Sequence, residues 1–82
     1  MLAYGIDVSK EHLDIFCLDQ DVIIYEKRIK NKFSAINSFL SKINPQAIIC
    51  AEYTGVYSNL LTHLSNCNGI KIALTSGYDL QI

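Results

Sequence analysis

The sequence predicts an α/β fold built on a mixed five-stranded sheet, and three observations carry that expectation. Short apolar runs at residues 2–8, 13–18 and 22–29 are separated by only a few polar residues, which favours an antiparallel meander. Two stretches of helical periodicity follow, and each leads into another apolar run. Helices that cross between the later strands imply parallel pairing through right-handed connections. The expected strand order is 3-2-1-4-5, with the first strand in the middle.

Each element has a local cause. Residues 2–8 are apolar on both faces, as expected of a central strand. Residues 9–12 form a short polar connection, and Asp19-Gln20-Asp21 form a turn. Residues 30–32 form a loop. Phe33, Ile36, Phe39, Leu40 and Ile43 recur at helical spacing, so 33–43 reads as an amphipathic helix. Asn44-Pro45 ends it, because the residue before a proline disfavours helical angles. Residues 47–51 make a short strand. Tyr57, Leu60, Leu61 and Leu64 mark a second helix, with Thr54 as its expected N-cap. Asn68-Gly69 closes that helix, and 70–74 is the last strand. Residues 75–82 show no pattern.

Composition narrows the class. A chain of 82 residues is one small domain, and at 50% hydrophobic it can build a core without staples. The formal net charge of −1 argues against a stand-alone nucleic-acid binder, which usually carries a basic patch. One local cluster, Lys27, Arg28, Lys30 and Lys32, reads either as a solvated strand end or as a phosphate contact. Cys17, Cys50 and Cys67 are an odd set without Cys-x-x-Cys spacing. They read as buried free thiols in a reducing, cytoplasmic compartment. No basic segment precedes an apolar one at the N-terminus, so no signal peptide is expected. No apolar run approaches the ~18 residues of a membrane span.

Gly5-Ile6-Asp7-Val8-Ser9-Lys10 is the most informative stretch. It sets a carboxylate in an apolar strand, where Asp is depleted and an unpaired buried charge is costly. A divalent cation could compensate for Asp7. A hydrogen bond to backbone amides of the Ser9–Lys10 turn is the plainer alternative. Glu52 ends the apolar run 47–51. If the first and fourth strands are neighbours, about 4.8 Å apart, Asp7 and Glu52 could share a metal near the strands' carboxyl ends, where open α/β sheets bind ligands. Glu52 could equally be a strand-end acid or a helix-dipole partner. Asp14 reads mainly as a turn or strand-pairing residue, with a metal-ligand role as its alternative; Ser9 and Lys10 read as turn-shaping, with a phosphate contact as the alternative for Lys10. Tyr57 is expected to pack beneath the sheet. His12 and His63 have no partner at metal spacing.

These residues match a known pattern. Gly5-Ile6-Asp7-Val8-Ser9-Lys10, Leu13-Asp14 and Glu52-Tyr53-Thr54-Gly55-Val56-Tyr57 together resemble the N-terminal, RuvC-like domain of DEDD transposases. These are the bridge-RNA-guided insertion-sequence class related to the Piv DNA invertase. The resemblance spans residues 1–74 and implies a ribonuclease H-like fold. It implies four acids that hold two Mg²⁺ ions for DNA strand cleavage and rejoining. Asp7 matches the first acid and Glu52 the second, which makes both the expected catalytic and metal-binding residues. DNA and a guide RNA would be partners of the full-length protein, in a bacterial or archaeal cytoplasm. A homodimer or higher homo-oligomer is expected.

The chain departs from the pattern after the fifth strand. Thr75-Ser76-Gly77 stands where the family has Asn-Pro, and Asp79 lies too close to the strand to match the third acid. The third and fourth acids and the serine-bearing C-terminal domain are absent from these 82 residues. The expectation is therefore a partial N-terminal domain with weak metal binding and no catalysis of its own. Two alternatives compete. Actin-like sugar kinases also open with Gly-Ile-Asp on a strand before a hairpin. They usually continue with Gly-Thr or Gly-Ser, which suits phosphate better than Val8-Ser9-Lys10. A non-catalytic dimerisation module, using exposed sheet edges, is the other.

Overall fold

The structure, a computed structural model, describes residues 2–75. Five strands, β1 (Leu2–Val8), β2 (His12–Asp19), β3 (Val22–Lys30), β4 (Ile48–Glu52) and β5 (Lys71–Thr75), form one sheet in the order β3-β2-β1-β4-β5. The expected order is the observed one. β1 pairs antiparallel with β2 and parallel with β4; β2 pairs antiparallel with β3, and β4 parallel with β5. Helix α1 (Phe33–Lys42) links β3 to β4, and α2 (Asn59–Cys67) links β4 to β5. Expectations for residues 76–82, Asp79 included, fall outside the described residues.

Both helices cover the same face of the sheet. The two crossovers carry the chain in the same direction across it, so a common hand places both helices on one side. Tyr4, Ile6 and Val8 of β1, Leu13, Ile15 and Cys17 of β2, and Ile49 and Ala51 of β4 point into that layer. They meet Ile36, Phe39 and Leu40 of α1 and Leu61 and Leu64 of α2 in one core. Tyr4 and Phe39 stack edge to face with centroids 5.4 Å apart. Burial, reinforced by hydrogen bonding to Tyr25 and Cys17, pushes the Tyr4 hydroxyl well above the usual tyrosine range.

The opposite face is open, and three expectations of burial are corrected. β1 is not apolar-buried on both faces: it alternates, with Ala3, Gly5 and Asp7 on the uncovered side. Asp7 is accordingly exposed rather than buried, so solvent meets its desolvation cost without an obligatory partner. The thiols divide in the same way. Cys17 is buried, whereas Cys50 lies on the open face and Cys67 on the outer side of α2, both exposed.

The turns that close α1 and α2 follow their chemistry, and the one that opens α2 does not. Gly69 at φ 70° closes α2, and the amides of Gly69 and Ile70 bond the carbonyls of Asn66 and Ser65, a Schellman closure. The Asn44 side chain accepts from the Gln46 amide at 2.9 Å and holds the turn through Pro45. At the other end of α2, Thr54 is not that helix's N-cap, and its side chain makes no capping hydrogen bond. A 3₁₀ turn (Gly55–Ser58) intervenes, and α2 begins only at Asn59. The buried Ser58 hydroxyl organises that turn instead, donating to the Gly55 carbonyl at 2.8 Å. Gly55, at φ 64°, allows a reversal tight enough to make this possible. Tyr57 is 43% exposed on this turn and does not pack beneath the sheet.

Candidate functional site

The site is assembled by strand register. β1 and β4 run in step through Gly5↔Cys50 and Ile6↔Ala51, so Asp7 and Glu52 occupy the next step of adjacent parallel strands. Both point to the open face. Asp14 lies opposite Asp7 on β2, Arg28 opposite Asp14 on β3, and Thr75 opposite Glu52 on β5. One row thus crosses all five strands near the carboxyl ends of β1, β3, β4 and β5: Arg28, Asp14, Asp7, Glu52, Thr75. Beneath it runs an open groove of about 590 Å³ walled by Gly5, Phe16, Cys50 and the two acids.

The three carboxylates are not equivalent. Asp14 is closed by Arg28 in a two-pronged ion pair, with Nε to Oδ1 at 2.8 Å and Nη2 to Oδ2 at 3.2 Å. The Arg28 hydrogen bond and charge hold the Asp14 carboxyl below its ordinary range. Its strand-pairing role is therefore the observed one. Asp7 and Glu52 have no ion pair or side-chain hydrogen bond among the described residues. Asp7 does not bond the Ser9–Lys10 turn: there the Ser9 amide and hydroxyl both donate to the His12 carbonyl at 2.9 Å.

Oxygen donors suit a hard cation, and Mg²⁺ takes only one or two carboxylates while keeping several waters. Two unpaired, adjacent carboxylates at an open rim fit one such ion. Among the described residues no group of three or more His, Cys, Asp or Glu side chains converges on a metal position. A second ion would therefore need ligands beyond them.

Asn31, which carries no sequence signal, holds the rim together. Its side-chain amide donates to the Ser9 and Tyr57 carbonyls, each at 2.9 Å. It ties the β1–β2 turn, which follows Asp7, to the 3₁₀ turn, which follows Glu52. Its own amide donates to the Glu11 carbonyl at 2.9 Å. Arg28 was legible only as part of a basic cluster, because its pairing depends on a register irregularity in the β2–β3 hairpin.

No protein-family model matches this sequence, and no curated protein matches it. Solved structures do. The chain is similar to Thermus thermophilus RuvC in complex with a Holliday junction substrate: TM-score 0.68, 10% identity, 99% of this chain and 68% of that one. A second T. thermophilus RuvC structure gives TM-score 0.68 at 12% identity over 93% of this chain and 62% of that one. A Bacteroides thetaiotaomicron protein of unknown function with an actin-like ATPase fold gives TM-score 0.71 at 13% identity. That match covers 98% of this chain but 35% of the other. Strand order, helix placement and these likenesses together establish that the chain has a ribonuclease H-like α/β fold.

Proposed function

We propose that this chain is the N-terminal part of a metal-dependent DNA transposase or recombinase of the DEDD type, contributing two of four acids to a two-metal site. The observation that supports it most directly is the pairing of Asp7 and Glu52, in step on adjacent parallel strands and free of protein partners among the described residues. The RuvC likeness and the paired motifs around these residues point the same way. DNA is the expected substrate, a guide RNA the expected partner, and the cytoplasm of a bacterial or archaeal cell the expected location.

Bound Mg²⁺ would supply charge stabilisation at the cleaved phosphate and an activated oxygen nucleophile. The chain's own contribution is placement. Asp7, on the central strand, would be the bridging or first-ion ligand, and Glu52 would ligate one ion. Arg28 neutralises Asp14, so that row presents two free negative charges rather than three. The open groove leaves room for a phosphodiester over Gly5 and Cys50. The metal reading is tested with Mn²⁺ as a spectroscopic stand-in. The chain is expected to bind it weakly, and Asp7→Asn or Glu52→Gln is expected to abolish that binding. Equal binding by the variants defeats it. In the protein that carries this domain, Asp7→Ala should eliminate strand exchange and leave nucleic-acid binding intact.

One observation favours a second reading. The TM-score of 0.71 to an actin-like ATPase fold keeps a sugar-kinase relationship in play. The residues after Asp7 lack the glycine turn that would wrap a phosphate, which speaks for the transposase. Micromolar ATP binding would reverse that preference.

Self-association is part of the same proposal. The outer edge of β3 exposes Val22, Ile23 and Ile24 at 61%, 56% and 53%, beside unpaired backbone groups that a second copy could engage. A monomeric mass by light scattering at high concentration would refute it, and with it the purely dimerising module.

A further inference from the structure

The rim that carries Asp7 and Glu52 also carries an unbalanced positive corner. Lys10 lies in the turn after β1, Lys30 ends β3, and Lys32 immediately precedes α1. With Glu11, His12 and Asn31 they line an open groove of about 370 Å³. All three lysines are exposed, and none has an ion-pair partner among the described residues. The adjoining start of α1 adds to the excess. Lys32 is its N-cap residue and makes no capping hydrogen bond, and its first turn holds no acid. The positive end of a helix is a place where a cation is disfavoured and an anion welcomed. Three lysines gathered there oppose local stability, and Glu11 is the one acid that lines the groove against them. Five of the chain's seven basic residues lie between positions 10 and 32, against a net charge of −1 overall.

We propose that Lys10, Lys30 and Lys32 form a docking corner for the phosphate backbone of a DNA strand that runs along the carboxyl rim toward Asp7 and Glu52. The strand's direction rests on the functional reading above; the corner itself does not. From β3 to β4 is three strand spacings, about 14 Å. That is about four nucleotide rises of 3.4 Å, so one strand of DNA can reach both places. The groove is shallow and its cations are spread over three elements. This suits a run of phosphates held as point charges better than a single enclosed anion.

The test is binding of the 82-residue chain to a short fluorescein-labelled DNA duplex, followed by anisotropy against salt in EDTA. Three neutralised phosphates predict a log–log slope of about −2.7, and each Lys→Gln change at 10, 30 or 32 should remove about 0.9 of it. Lys42→Gln and Lys71→Gln, at the opposite end of the sheet, should leave the slope unchanged. A triple K10Q/K30Q/K32Q variant that stays folded by circular dichroism and binds like the parent overturns the proposal. So does an equal loss from Lys42→Gln or Lys71→Gln. Binding to phosphatidylserine vesicles with the same lysine dependence, and none to DNA, overturns it as well. EDTA removes the metal, so failure of the Mn²⁺ experiment and failure of this one are read separately.

Discussion

Asp14 stands directly opposite Asp7 in the β1–β2 ladder, and Arg28, bonded to both Asp14 carboxylate oxygens, keeps that pair from being two bare like charges. Like charges directly across a ladder destabilise it. Arg28 on β3 thus acts through Asp14 on the environment of Asp7, two strands away.

The pair sets a pH dependence. The Arg28 hydrogen bond lowers the folded Asp14 pKa. A depressed aspartate stabilises the fold above its ordinary titration range and loses that contribution as pH falls through the folded value. Arg28→Ala should lower the urea midpoint at neutral pH and leave it nearly unchanged at strongly acidic pH. An equal loss at both ends, measured across a pH series, would assign Arg28 a packing role instead.

Asn31→Ala should cost on the order of 1–3 kcal/mol, because the Ser9 and Tyr57 carbonyls both lose a donor. The loss should be local as well as global. Amide exchange should quicken at residues 9–12 and 55–58 before it does in β1. Uniform quickening would count against a rim clamp.

The β2–β3 turn is strained at two residues. Gln20 and Asp21 have φ of 51° and 67°, a left-handed conformation that Asn and Gly adopt at lower cost. The double change Gln20→Asn, Asp21→Gly should stabilise the chain by about 1 kcal/mol, read as a higher midpoint with unchanged slope.

Thiol reactivity should separate the cysteines. Cys50 and Cys67 are exposed and Cys17 is buried, so a thiol reagent should titrate two groups in the native chain and the third only after unfolding. Saturating Mg²⁺ should slow Cys50 and leave Cys67 unaffected, because Cys50 shares the groove with Asp7 and Glu52. Equal slowing of both would place the ion elsewhere.

In the core, Ile36→Ala or Leu61→Ala should each cost about 2–5 kcal/mol, since both side chains are fully enclosed between the helices and the sheet. A cost below about 1 kcal/mol in either would mean the two-helix layer is looser than its burial implies.

The amino-acid pattern alone determined the element order, the sheet order and the neighbourhood of Asp7 and Glu52, because short links force hairpins and crossover helices force parallel neighbours. It also marked the closure of α2 at Asn68-Gly69, where the chemistry is local. Tertiary structure decided what depends on facing and register. Periodicity could not say that both helices share one face, so Asp7 read as buried when it lies in the open. Thr54 read as a helix cap because the intervening 3₁₀ turn leaves almost no trace in composition. The β2–β3 hairpin is the clearest case. Counting back from the two-residue turn places Lys27 opposite Asp14, but an irregularity between Cys17 and Leu18 slips the register by one residue. That slip brings Arg28 onto Asp14 and sends Lys27 to the helix face, 5.2 Å from the Phe39 ring. Side chains alternate faces with a period of two, so a single extra residue reassigns every partner beyond it.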